Sequence, residues 1–435
     1  MKEFEVLERD GLARIGRFPT PHGEIRTPAL LPVVHPDRRR QTVPARELRD
    51  SFGLSAIITS SYLTWRDPGL RTRAEENGVH ELVDFDGPIM TDSGAFQQHA
   101  YGSIEVGADE IVAFQGRIGS DIATVLDVFT EPSTERDSAT AAVRTTIERA
   151  KSARTHRAGL LAVPIQGGRF PDLRSESAQG ASELGDVLAI GGVVPLLEQY
   201  RFPELARALL AARPGLAPER PVHLFGAGHP MVFALAVLLG VDLFDSSSYH
   251  KFARRGALMF PEGTVPIERI REPICGCRLC EAQPLEQVTA LPPAERERHL
   301  ARHNLSMCAL EMARVRQAIR DSQLWELAER RAAGHPAIFA GLRTIVRGGR
   351  HLVAAEPVCR PSFRSSSSLG SLRPGVIRFL ARLARFRAGR GPYRLRDRVP
   401  LTSAQLRDVP TEEANGTPMH WECLTPVGPV PLELL

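Results

Sequence analysis

Three aspartates in this chain each sit in or at the end of an apolar run: Asp92 in Ile-Met-Thr-Asp, Asp127 in Val-Leu-Asp-Val and Asp245 in Leu-Phe-Asp-Ser. An unpaired carboxylate in such surroundings is costly, because desolvation penalises its charged form. One such residue could be a helix N-cap or a buried acceptor, and Asp92-Ser93 before Gly94 could form that kind of turn. Three together are harder to explain as caps, and a pair of acids suits displacement at an acetal-like carbon. One carboxylate attacks while another carries a proton to the leaving group, as at glycosidic carbon. Gln166, followed by Gly167-Gly168, offers a heterocycle edge both a donor and an acceptor. Gly191-Gly192 would let a backbone amide approach a flat ligand closely. His223 and His229 flank Gly226-Ala227-Gly228 and read as packed residues, outside the catalytic set. Asp242 either faces outward or pairs with an arginine.

A second chemistry is written in Cys275-Gly-Cys277-Arg-Leu-Cys280, three thiols within six residues. Such a cluster points to a metal in a reducing compartment rather than to disulfides. Thiolates completed by one imidazole are the donor set of tetrahedral zinc. His299 and His303, one turn apart on the following helical stretch, are the candidates for the fourth ligand. Four protein donors leave no open position, so the zinc would be structural. Cys308, Cys359 and Cys423 read as small core residues, although Cys308 is near enough to compete as a ligand.

These groups need a scaffold that brings distant segments together. Eight short apolar runs, Ala29–Val34, Ala56–Ser61, Pro88–Gly94, Thr124–Phe129, Leu160–Gly168, Val187–Gly192, Pro221–Gly226 and Asp242–Ser247, alternate with helical stretches such as Glu204–Arg213. Strands alternating with helices pair in parallel through right-handed crossovers, and eight units over about 250 residues close a (β/α)8 TIM barrel. The competing architecture is a doubly wound open sheet. In a barrel the polar strand ends share the C-terminal rim, where catalysis sits. The expected plan is an α/β barrel domain over 1–348, with a zinc subdomain at about 270–310, and a small basic C-terminal domain over 349–435. One tail helix is expected over Val376–Ala388, with Arg378, Arg382 and Arg385 along one face.

The chain has 43% hydrophobic and 24% charged residues, enough to bury a core and to exclude disorder and disulfide miniproteins. Its richest apolar stretch, Met231–Val241, is too short to span a bilayer. The opening Met-Lys-Glu-Phe-Glu-Val has acids where a signal peptide needs an apolar segment. A cytoplasmic protein is expected. Net charge is +4, but residues 341–400 hold 14 arginines against two acids, a surplus of 12 that leaves the rest at −8. A basic tail on an acidic body points to a polyanionic partner such as nucleic acid.

The motifs resemble those of the tRNA-guanine transglycosylases, in particular the archaeal type that prepares archaeosine. The resemblance rests on Met-Thr-Asp-Ser-Gly-Ala-Phe-Gln (90–97), Thr-Val-Leu-Asp-Val-Phe (124–129), Gln-Gly-Gly (166–168) and Ile-Gly-Gly-Val-Val-Pro-Leu-Leu-Glu (190–198). His-Leu-Phe-Gly-Ala-Gly-His-Pro (223–230), Asp-Leu-Phe-Asp-Ser (242–246) and the cysteine triplet with His303-Asn304-Leu305 complete it. It implies a pentosyltransferase that exchanges a guanine in the tRNA D-loop, at position 15, for 7-cyano-7-deazaguanine (preQ0) through a covalent RNA–enzyme intermediate. Asp245 would be the nucleophile and Asp92 the general acid/base, although the family's nucleophile has been assigned to either acid. Ser93, Asp127, Gln166 and the Gly192–Val193 amide region would read the base edge, Phe96 would stack on it, and His303 would complete the zinc site.

The resemblance further implies a homodimer and an RNA-binding PUA domain, for which the chain leaves no room. A separate subunit or the basic tail is expected to take over RNA docking. Relatives that insert a deazaguanine into DNA, bacterial-type enzymes acting on the anticodon, and a non-catalytic tRNA-binding subunit are the alternatives. Intact Asp92 and Asp245 argue against the last of these.

Overall fold

The structure, a computed structural model, describes residues 3–95, 105–156, 159–272, 274–348, 350–357, 367–385, 393–396, 420–425 and 428–431. The chain divides into two compact units, Met1–Gly348 and Gly349–Leu435.

The first unit opens with an antiparallel sheet of β1 (Glu5–Asp10), β2 (Ala13–Thr20) and β3 (Gly23–Thr27). Eight parallel strands then close a barrel: β4 (Ala29–Val34), β5 (Ile57–Ser60), β6 (Ile89–Asp92), β7 (Ile122–Thr124), β8 (Leu160–Ile165), β9 (Val187–Ile190), β10 (Val222–Leu224) and β11 (Leu243–Ser246). Neighbours follow chain order, and β11 returns to pair with β4, with Asp245 opposite Leu31. A closed ring replaces the open sheet that the same alternation allowed. The strands are short and almost wholly buried, which is why they read as continuous apolar runs rather than alternating ones.

Seven of the eight runs coincide with strands to within a few residues. The fourth is displaced: β7 covers Ile122–Thr124, and only the Val125 N–H carries the ladder one bond further, to the Ala162 carbonyl. Val125 and Leu126 are buried as loop residues, so the apolar run outlasts the strand. Asp127 is therefore on the loop after β7, not within it.

At the opposite end of the barrel Asp121, fully buried, clamps the β2–β3 turn to the strand starts. One oxygen accepts from the backbone N–H of His22 and faces its Nδ1, both at 2.9 Å; the other accepts from Ile89 N–H at 2.7 Å and faces His80 Nε2 at 3.0 Å. Burial alone would raise this carboxyl, but the bonds from His80, Ile89 and His22 outweigh it and hold its pKa below the ordinary value. Asp242 takes the arginine alternative. It forms a buried bidentate pair with Arg14 at 2.7 and 2.8 Å and accepts from Val222 N–H at 2.8 Å. Removing one member of such a pair typically costs about 3–5 kcal/mol.

The Met231–Val241 stretch is explained by the helix Pro230–Val237, in which every residue is buried and which packs against the helices Pro293–Arg320 and Leu324–Gly334. Among the described residues no helix is long and apolar enough to cross a membrane.

The second unit holds the helices Arg350–Ala355 and Pro374–Leu383 and the strands β14 (Tyr393–Arg396), β15 (His420–Thr425) and β16 (Gly428–Pro431), β14–β15 parallel and β15–β16 antiparallel; the hairpin β12 (Ala257–Phe260) and β13 (Gly263–Pro266) precedes it in the first unit. The tail helix starts and stops earlier than the expected Val376–Ala388. Its arginines do not form one free row, because Arg378 donates to the carbonyls of Val353, Ala354 and Glu356.

Candidate active site

The C-terminal ends of the strands surround a cavity of about 720 Å³ lined by Asp92, Ser93, Asp127, Gly191, Gly192 and Asp245, among others. Asp92 is the last residue of β6. Its Oδ1 accepts from Ser60 Oγ at 2.9 Å and from Gly94 N–H at 3.1 Å. Ser60 lies opposite it in register on β5, and Gly94, at φ +87°, turns the chain so that its amide faces back. Both bonds fall on one oxygen. Burial, with a contribution from the Asp245 charge, outweighs them and pushes the Asp92 pKa up to about 7.

Asp245 sits on β11, 8% exposed. Its Oδ1 accepts from Gly226 N–H at 3.0 Å and faces the Nε2 of buried His223 at 2.9 Å. His223, on β10, thus lies directly against the carboxylate. The sequence reads it as packing, because a lone histidine in a strand does not reveal its cross-strand partner. His229 is half-buried at the N-cap of the Pro230 helix, on the cavity wall. It receives Met231 N–H on Nδ1, and burial lowers its pKa to about 3.

Asp127 is buried beside Gln166, whose Nε2 donates to Asp127 Oδ2. Gln166 Oε1 accepts from Thr130 N–H at 3.1 Å and Thr130 Oγ at 2.7 Å, so most of this amide is engaged by the protein. Gln166 does not itself line the cavity; it orients Asp127. Burial pushes the Asp127 pKa up to about 6 despite the bond from Gln166. Ser93 Oγ donates to the Val125 carbonyl at 3.2 Å. Val193 is fully buried and lies behind the lining. Gly192 could not carry a side chain: its φ is +69°, and a Cβ would lie 2.3 Å from the Thr130 carbonyl oxygen. Phe96 lies outside the described residues.

One buried cation escaped sequence reasoning altogether. Arg174, 1% exposed, reaches back from the helix Pro171–Leu184 to the carbonyls of Ile165, Gly168 and Gly191. The available signal was its spacing: with Ala178 and Ala181 at i+4 and i+7 it shares the helix face that packs inward.

Away from this cavity, Cys275, Cys277, Cys280 and His303 bring their ligand atoms within 4.8 Å of one another. His303 Nδ1 lies 3.3 Å from Cys280 Sγ and 3.6 Å from Cys277 Sγ. Three sulfurs and one ring nitrogen converging from a turn and a long helix fit a tetrahedral zinc ion in donor type, number and spacing. His299 stands outside this cluster. So does Cys308, which is buried and donates to the Gly228 carbonyl. Cys359 and the side chain of Cys423 lie outside the described residues.

A family model described as queuine tRNA-ribosyltransferase matches residues 10–337. The tRNA-guanine(15) transglycosylase of Methanosarcina mazei is 42% identical over 386 residues, 88% of this chain and 78% of the relative. That of Thermococcus kodakarensis is 42% identical over 387 residues, covering 88% of this chain and 66% of the relative. That of Haloarcula marismortui is 38% identical over 439 residues, covering 100% and 86%. The chain therefore belongs to the tRNA-guanine transglycosylases, a family of pentosyltransferases, and to their archaeal type.

Proposed function

We propose that this enzyme exchanges the guanine at position 15 of tRNA for preQ0 through a covalent intermediate. The observation that carries the reading is the placement of Asp92 and Asp245 on one cavity, each with its Oδ1 held by the protein. Asp245 Oδ2 attacks C1′ of the ribose and the glycosidic bond breaks. The departing guanine takes a proton from Asp92, which the raised pKa keeps protonated near neutrality. The incoming preQ0 returns its ring N–H proton to Asp92 and attacks C1′, releasing Asp245. Protons and bonds balance, so neither a nucleotide energy source nor a redox partner is needed.

Asp127, an acceptor, and Gly192, whose N–H is a donor, both line the cavity, and Asp127 Oδ2 lies 3.6 Å from where a Cβ on the adjacent Gly191 would stand. Such a pair complements the adjacent N1–H and 6-oxo group of a guanine-type base. To enter, the nucleotide must leave its stack, which costs a few kcal/mol that RNA contacts have to offset. Lys251 and Arg255 at the cavity mouth have no acid partner among the described residues and suit phosphate contacts. The deciding experiment supplies labelled preQ0 with purified enzyme and tRNA and maps the label. It is expected at nucleotide 15, whereas label at the anticodon, in duplex DNA or nowhere would refute the reading.

The cysteine cluster would hold zinc as a brace, its four protein donors leaving no site for substrate. Cys277→Ser is expected to reduce zinc from about one equivalent per chain to well below half, with a lower melting temperature. Elemental analysis beside thermal unfolding checks this, and full zinc content would contradict it.

A further inference from the structure

Arg174 is a fully buried guanidinium, and among the described residues no carboxylate lies within ion-pair distance of it. A buried charge without a counter-ion is costly, a cost that a glutamine or a network of hydroxyls in the same place would avoid. Its donors go to three main-chain carbonyls at the ends of two barrel strands: Nε to Gly168 at 3.0 Å, and Nη1 to Ile165 at 3.2 Å and to Gly191 at 2.7 Å. The bond to Gly191 is the shortest of the three. That carbonyl belongs to the same peptide group as the Gly192 N–H.

The Gly192 N–H takes no hydrogen-bond partner among the described residues, and Gly192 lines the cavity. A charged donor on the carbonyl side of an amide draws electron density from its nitrogen and makes the N–H a stronger donor. The acceptor next to it is Asp127: its Oδ2 lies 3.6 Å from where a Cβ on Gly191 would stand. Burial lowers the guanidinium pKa only to about 10, so it stays charged at neutral pH.

We propose that Arg174 is a positioning residue that polarises the Gly191–Gly192 amide, so that the Gly192 N–H recognises the 6-oxo group of the exchanged purine. This rests on the guanine-exchange reading above. When the glycosidic bond breaks, negative charge spreads into the purine and onto its 6-oxo oxygen. A fixed, polarised donor there stabilises that charge more than the neutral base, which favours the transition state over the ground state.

The test compares two competitors of labelled-guanine exchange into tRNA, unlabelled guanine and 2-aminopurine, which lacks the 6-oxo group. In the unmodified enzyme guanine inhibits much more strongly. In Arg174→Gln the ratio of the two inhibition constants is expected to shrink about tenfold, with kcat falling as well, the size expected for weakening one charge-assisted hydrogen bond. Arg174→Lys keeps the charge but not the fork and should shrink the ratio by about threefold. It also serves if the glutamine variant does not fold.

A purely structural role would lower the melting temperature and weaken both purines alike, leaving their ratio unchanged, and that result overturns the inference. If neither purine competes in the unmodified enzyme, it is the guanine-exchange reading that fails.

Discussion

Asp245→Ala is expected to abolish base exchange, lowering turnover by about 10⁴-fold or more, the scale seen when a covalent nucleophile is removed. tRNA affinity should stay within about threefold of the parent, because the phosphate contacts proposed for Lys251 and Arg255 are untouched. The geometry explains the size of the effect. One carboxylate oxygen is held by the Gly226 amide and faces His223, which leaves the other for the attack proposed above. Single-turnover exchange with labelled guanine and a denaturing gel for RNA–protein adducts provide two readouts. Retained exchange in this variant would remove Asp245 from the chemistry, and with it the mechanism.

Asp92→Asn should cost about 10²–10⁴-fold, the usual range for a general acid, and should erase a feature of the pH profile. Burial, helped by the charge on Asp245, raises Asp92 to about 7. Its proton is therefore available below that pH and lost above it, so cleavage by the parent enzyme declines as pH rises through about 7. The variant should lack that limb.

Stability moves the other way. A carboxyl whose folded-state pKa is raised weakens the fold increasingly as pH climbs from the ordinary carboxylate range to about 7, since unfolding releases its proton. Asparagine mimics the protonated form, so the variant should melt higher than the parent at pH 8 and no differently at pH 3. A variant that is inactive but no more stable at pH 8 would show that Asp92 is not held protonated by its surroundings.

Much of this architecture was legible in the residues because parallel strands buried on both faces leave continuous apolar runs, and each run here hands over to small or polar residues at the rim. Asp92 and Asp245 could be placed on that rim from their positions in those runs. Asp127 could be found but not located, because Val125 and Leu126 stay buried after the strand has ended, and apolarity alone does not distinguish a core loop from a strand. The histidine against Asp245, the arginine behind Gly191 and the clamp at Asp121 were not legible. Each depends on which strand or turn becomes a neighbour, a property of the closed ring rather than of any local stretch. The metal-binding cluster was nearly complete in the sequence, since three of its four residues lie within one turn; spacing left His299 and His303 open, the resemblance pointed to His303, and the long helix brings His303 to the sulfurs.

The seam between β11 and β4 has a consequence for biosynthesis. Asp245 pairs opposite Leu31, more than 200 residues earlier in the chain, so the strand carrying it is the last of the eight to leave the ribosome. A nascent chain that ends between residues 92 and 245 carries Asp92 but not Asp245. Under the mechanism proposed above, such a fragment takes no guanine from tRNA, and the activity arises only once the ring has closed.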